Sequence, residues 1–233
     1  MAKLTKLPRA IMFDLDGTIA HTIPQLSKAA IAAADECGLV HPSEEKVKEF
    51  VGNGINMLLA RVIKGEFEVE IEEVSPLLLK KLRESFNTHY QKGLSSDFEV
   101  YDGVKECLIF CRECGIKTAI VTNKPEVFAK PLISFMGLSA YFDFILGGEV
   151  LKERKPDPRP INYTLEKLQV KNTEALMCGD SDNDIIAANN AFVSSVFFTF
   201  GYNRSDEKTL KYDYRFDSYS EFTSLLKELK NIK

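Results

Sequence analysis

The chain of 233 residues carries 30 Lys and Arg against 34 Asp and Glu, a formal charge of −4, with 45% hydrophobic and 27% charged residues. This is globular composition, and it excludes a disordered acidic tail, a collagen-like repeat and a basic arm that coats nucleic acid. No apolar run approaches the ~20 residues that span a bilayer, and no secretory core is read before Phe13, so a cytoplasmic protein without a membrane partner is expected. In that compartment the five cysteines are expected as reduced thiols.

Arg9–Phe13 is a short apolar run that ends in Asp14-Leu-Asp-Gly-Thr18, the pattern of a buried strand entering a glycine turn. Helical signals follow. Pro24 opens a helix over Gln25–Cys37, Ser43 caps an acidic first turn, Ile55–Ile63 is apolar at helical spacing, and Ser75-Pro76 starts a long helix through Tyr90. From Tyr101 the rhythm alternates. Helices are predicted over 104–114, 125–136, 158–168, 182–191 and 219–229, with strands over 117–122, 142–146, 175–178 and 195–199. Short apolar strands alternating with amphipathic helices specify a mostly parallel sheet covered on both faces. Residues 20–96 break that rhythm and exceed any ordinary loop. The expected architecture is therefore α/β, a Rossmann-like doubly wound core from 1–19 and 97–233, with an all-helical second domain, 20–96, inserted after the first strand.

In such sheets ligands collect at the carboxyl ends of the strands. Asp14 and Asp16, Thr122 and Asn123, Lys155, and Asp180 and Asp184 all fall there. Several carboxylates in one cleft need a cation among them, and an oxygen-only donor set favours Mg²⁺. Asp14 suits attack on phosphorus and Asp16 suits proton transfer. Thr122, Asn123 and Lys155 offer donors to phosphoryl oxygens, and Gly17 permits close backbone approach.

Asp14-Leu-Asp-Gly-Thr18, Val121-Thr-Asn123, Lys155-Pro-Asp-Pro158 and Gly179-Asp-Ser-Asp-Asn-Asp184 resemble the four motifs of the haloacid dehalogenase superfamily of phosphatases. The likeness extends to Val51–Gly54, Thr122–Pro125 and Phe200–Asn203. It implies a Mg²⁺-dependent phosphatase of a small phosphorylated metabolite, with Asp14 as nucleophile and Asp16 as acid/base. It implies further that Thr122, Asn123 and Lys155 hold the phosphate, and that Asp14, the Asp16 carbonyl and Asp180 ligate the metal. Asp184 would act behind that set or through water. Residues 20–96 would be a cap that excludes water. Dehalogenases lack the second Asp, so Asp16 points to phosphate ester or anhydride substrates. Other phosphate substrates and a phosphosugar mutase remain alternatives, as does a mere phosphate acceptor, which would not need Asp16.

Four features stand outside that core. His21 and Gln25 occupy positions where acidic residues are usual in similar members; His21 reads as drift in a hinge or an anion contact. Arg61 reads equally as a clamp for a substrate carboxylate or as a solvated surface residue. Cys107, Cys111 and Cys114 have the spacing of an iron–sulfur triad, but they lie along one helix face, where cysteine acts as a small hydrophobe. The basic residues form no stripe, so no nucleic-acid partner is expected. Monomer and homodimer are equally compatible with the sequence.

Overall fold

The computed structural model describes residues 5–231. Residues 1–4 and 232–233, the outer ends of the expected core, lie outside them. The chain divides into two compact units, one made of the part up to Ala20 together with Val100 onward, the other His21–Glu99.

The first strand, β1 (Ala10–Phe13), is buried along its whole length. The chain then runs through β2 (Ala20–His21) into the helical unit, α1 (Ile23–Glu36), α2 (Glu44–Phe50), α3 (Ile55–Lys64) and α4 (Pro76–Gly93), and leaves by β3 (Glu99–Val100). The two short strands pair with each other. Ser43 and Ser75 cap α2 and α4 through their hydroxyls, as their positions before the acidic turn and the proline dictate. Buried Gln25 ties α1 to the end of α4: its Nε2 donates to the carbonyls of Gly93, Leu94 and Ser96, and Tyr90 donates to its Oε1. The amide that stands where an acid was expected therefore closes a helix–helix junction.

The α/β unit continues with α5 (Val104–Glu113), β4 (Lys117–Pro125), α6 (Glu126–Phe135), β5 (Phe144–Gly148), α7 (Arg159–Leu168), β6 (Ala175–Gly179), α8 (Asp182–Asn190), β7 (Ser194–Phe198), β8 (Tyr214–Phe216) and α9 (Tyr219–Asn231). Its sheet has six strands in the order β5-β4-β1-β6-β7-β8, and every described pairing is parallel. Alternate side chains serve opposite faces. Ala10 and Met12 join Ala119, Val121 and Met177 in a core with Ile161 and Leu165 of α7 and Ala187 and Ala188 of α8. On the other face Phe13 meets Tyr219 at 6.4 Å between ring centroids, and Phe198 packs on Tyr219 and Phe222. Cys107 and Cys111 are buried on α5, while Cys114 at its end is half-buried.

The chain leaves β1 for β4 and β5 on one side, then crosses to β6 and β7 on the other. The order reverses at β1, which opens the crevice where such sheets bind ligands. Two differences from the predicted elements matter there. β4 runs on to Pro125, with its register to β5 shifting between Val121 and Pro125, so Thr122–Lys124 lie on a distorted strand end. The half-buried edge strand β8 has an exposed Arg215 at its centre and no apolar run that would announce it.

Candidate active site

The site starts from the turn after β1. The Asp14 N–H donates to the Cys178 carbonyl at 2.9 Å, which carries the β1–β6 ladder one residue past the strand. The Gly17 and Ile19 N–H groups then donate to Ala20 and Leu15 at 2.9 Å each, folding residues 15–20 into a tight turn. Asp14 and Asp16 are thereby fixed on rigid backbone, with side chains 15% and 13% exposed. Gly17 adopts φ +87°, and a Cβ there would lie 2.3 Å from Asp180 Oδ2. The missing side chain makes room for Asp180, a role distinct from the phosphate approach expected of it. Gly201 does the same from the other side, since its Cβ would also lie 2.3 Å from Asp180.

From β6 comes Asp180, which accepts the Thr18 hydroxyl at 2.7 Å and the Tyr202 N–H at 2.6 Å. One turn into α8, Asp184 accepts from the Ser181 N–H and hydroxyl at 3.1 and 2.7 Å and from Lys155 Nζ at 2.6 Å. The Lys155 side chain is 2% exposed, and Nζ also lies 3.0 Å from Asp14 Oδ1. Ligand oxygens of Asp14, Asp180 and Asp184 fall within 4.8 Å of one another. Asp14 Oδ1 is buried and makes no aligned hydrogen bond. Three carboxylates converging beside a single ammonium fit a small hard divalent cation. Asp184 enters that cluster directly, beside Asp14 and Asp180.

Electrostatics show the tension in this arrangement. Burial, with Asp184 and Asp16 adding to it and Lys155 opposing, pushes the Asp14 carboxyl up to about 6. Burial likewise raises Asp180 well above the ordinary carboxylate range, helped by Asp184 and Asp14 and resisted by the Tyr202 N–H and the Thr18 hydroxyl. For Lys155, burial works against the charge, but Asp14 and Asp184 outweigh it and hold the ammonium above the usual lysine range.

The end of β4 supplies three consecutive side chains with three targets. Thr122 is 6% exposed, and its Oγ1 accepts the Lys124 N–H at 3.2 Å, which leaves the hydroxyl hydrogen free to donate elsewhere. The Asn123 amide makes a reciprocal clip to the backbone of Lys155: Nδ2 donates to its carbonyl at 2.9 Å and Oδ1 accepts its N–H at 3.0 Å. That side chain thereby fixes where Lys155 stands. Lys124 is 5% exposed, and its Nζ reaches both oxygens of Asp16 at 2.9 and 3.1 Å. The sequence reading gave no role to Lys124, Thr18 or the Tyr202 N–H. A lysine between Asn123 and Pro125, three residues beyond the apolar run Ala119–Val121, was the available signal for the first.

Arg61 belongs to the helical unit. It is 6% exposed, donates through Nε to the Phe67 carbonyl at 2.9 Å and through Nη1 to the Phe50 carbonyl at 2.8 Å, and lies 4.0 Å from the centre of the Phe67 ring. It is therefore not a solvated surface residue. His21 is half-buried.

Among the described residues no helix is long and apolar enough to cross a membrane. The profile of the haloacid dehalogenase-like hydrolase family matches residues 11–198. A protein named phosphoglycolate phosphatase from Vibrio parahaemolyticus is 37% identical over 94% of this chain and 96% of its own. Another so named, from Thiobacillus denitrificans, is 38% identical over 84% and 85%. A crystal structure described as a predicted phosphoglycolate phosphatase from Haemophilus somnus matches with a TM-score of 0.86 at 30% identity, over 96% of this chain and 99% of that one. With a profile covering most of the sheet and relatives aligned over most of their length, the chain belongs to the haloacid dehalogenase-like hydrolase family.

Proposed function

We propose that the protein is a Mg²⁺-dependent phosphomonoesterase that hydrolyses 2-phosphoglycolate to glycolate and phosphate through a phosphoaspartate on Asp14. Asp14, Asp180 and the backbone carbonyl of Asp16 would hold the ion, with Asp184 beside them. Bound there, Mg²⁺ supplies positive charge to the phosphoryl oxygens and offsets repulsion among the acids.

The chain's own groups do the rest. An Asp14 oxygen attacks phosphorus while the bond to the ester oxygen breaks, and Asp16 gives that oxygen a proton. Water then attacks the phosphoaspartate, Asp16 takes its proton, and phosphate leaves with Asp14 restored. The Thr122 hydroxyl and the Lys155 ammonium donate to the phosphoryl oxygens as charge develops on them. Asn123 serves the phosphate through its grip on Lys155. Arg61 is left out of the substrate set, because two of its nitrogens are engaged by carbonyls of its own unit.

The observation that carries this reading is the meeting of Asp14, Lys155, Asp180 and Asp184 at the carboxyl ends of the sheet strands, with Asp16 on the adjoining turn. The glycolate part of the substrate is supported by the names of the relatives. A phosphate-release screen over small phosphorylated metabolites, read as kcat/KM, should place 2-phosphoglycolate first. Asp14→Asn should abolish turnover of every substrate with the fold intact. A sugar phosphate, nucleotide or pyrophosphate at the head of the screen would replace the substrate, and phosphoryl return to a sugar hydroxyl would make the protein a mutase. Activity in Asp14→Asn would overturn the mechanism.

A further inference from the structure

We propose that Lys124 is a positioning residue for the acid/base group: its ammonium holds the Asp16 carboxylate by both oxygens in the orientation from which Asp16 exchanges a proton with the leaving group and with water. The inference rests on the reading of Asp16 given above, and it assigns a residue that reading leaves without a role.

Burying a lysine head group is costly unless a partner replaces its water. Here the side chain of Lys124 is 2% exposed and meets Asp16 at 2.9 and 3.1 Å, so the ammonium faces the carboxylate as a two-pronged contact. A contact to both oxygens fixes the rotation of the Asp16 carboxylate, 13% exposed, about its last bond. The backbone accounts for the reach. β4 lies beside β1 in register from Ala10↔Lys117 to Phe13↔Ile120, and then continues to Pro125 while β1 gives way to the Asp14–Thr18 turn. The distorted end of β4 thus runs alongside that turn. Thr122, Asn123 and Lys124 are sent to the phosphate side of the cleft, the Lys155 loop and Asp16 respectively. Proton transfer is sensitive to placement of the donor by fractions of an ångström, and this contact engages both oxygens of Asp16.

The test is a double-mutant cycle with Lys124→Met and Asp16→Asn, assayed in Mg²⁺ with p-nitrophenyl phosphate and with an alkyl phosphate. In the wild-type background, Lys124→Met should lower kcat on the alkyl ester at least ~10-fold, within the range of a general acid–base contribution, with little change in KM. With p-nitrophenyl phosphate, whose leaving group departs without a proton, acid quenching should trap phosphoenzyme, because capture by water is slowed. In the Asp16→Asn background the same change should cost less than ~2-fold, the signature of a residue acting through its partner. Lys124→Arg should recover part of the loss. If Lys124→Met melts at assay temperature, Lys124→Gln and Lys124→Arg complete the cycle. Losses that multiply in both backgrounds would overturn the proposal. So would a KM rise confined to carboxylate-bearing esters, which would put Lys124 on the substrate. A wild type with no turnover, or with no phosphoenzyme dependent on Asp14, would instead remove the enzymatic reading itself.

Discussion

Asp14 and Asp184 share one ammonium, Lys155, and Asp180 lies within 4.8 Å of both acids, so negative charge exceeds positive at the bottom of the site. Burial and the neighbouring acids raise the Asp14 carboxyl to about 6 and push Asp180 well above the ordinary carboxylate range. The consequence for stability has a definite sign. Between the ordinary carboxylate range and about 6, the native state binds protons at Asp14 that the unfolded chain has released. Metal-free stability from this group therefore falls as pH climbs through that window. A divalent ion bound to the ionised acids removes the penalty and competes with the protons. Mg²⁺ should raise Tm more at about pH 7.5 than at about pH 5, as read by thermal melting with and without the ion. Equal shifts at both pH values would mean that Mg²⁺ does not bind these carboxylates. Asp14 and Asp180 were legible in the sequence, since each follows an apolar run that reads as a buried strand, and Asp184 follows four residues after Asp180. Their partners were not. That Thr18 and the Tyr202 N–H hold Asp180, and that Lys124 holds Asp16, depends on which turn folds back onto which strand end. No local pattern encodes that.

Elements convert those partnerships into positions. The Asn123 clip joins the end of β4 to the loop after β5, so two segments that share no strand pairing at that point move together with Lys155. In the helical unit Arg61 plays a comparable part, joining α3 to the end of α2 and to the Phe67 segment. Replacing it with alanine leaves two carbonyls without their donor, so Arg61→Ala should cost about 1–3 kcal/mol. KM for carboxylate-bearing and neutral esters should change alike. Urea unfolding and paired KM measurements check both halves, and a KM rise for the carboxylate substrates alone would restore Arg61 as a clamp. Helix and strand identity was largely legible here because periodicity and caps agree, as with Ser43, Ser75 and the run Val104–Cys111. β8 and the pair β2–β3 were not, because strands of two or three residues with an exposed charge among them carry no periodic signal and exist through pairing alone. The extension of β4 escaped notice for a related reason. Its polar Thr122–Lys124 segment reads as a loop, yet β5 and the site together keep it extended.

At the scale of the molecule, the strand order reverses at β1, where the acids meet, and the helical unit His21–Glu99 is inserted after that strand. Both were legible: the first from strands alternating with helices, the second from a helical stretch too long for a loop. Each unit also has an apolar cluster of its own. The sheet core joins β1, β4 and β6 to α7 and α8, and Ala60, Val69 and Val74 anchor a cluster in the helical unit. Every residue assigned a part in bond making or proton transfer lies in the α/β unit, at Asp14, Asp16, Thr122, Lys155 and Asp180. A cap formed by His21–Glu99 would select the ester's organic part. Because β2 pairs with β3, the ends created by removing that segment lie within reach of a short Gly-Ser linker. A variant with His21–Glu99 so replaced should fold cooperatively, hydrolyse p-nitrophenyl phosphate, and lose at least ~10-fold of the preference for 2-phosphoglycolate over other small esters, measured as a ratio of kcat/KM values. An excised variant that folds yet keeps the full preference would place specificity in the α/β unit, while one that folds and hydrolyses nothing would mean that part of the chemistry comes from the helices.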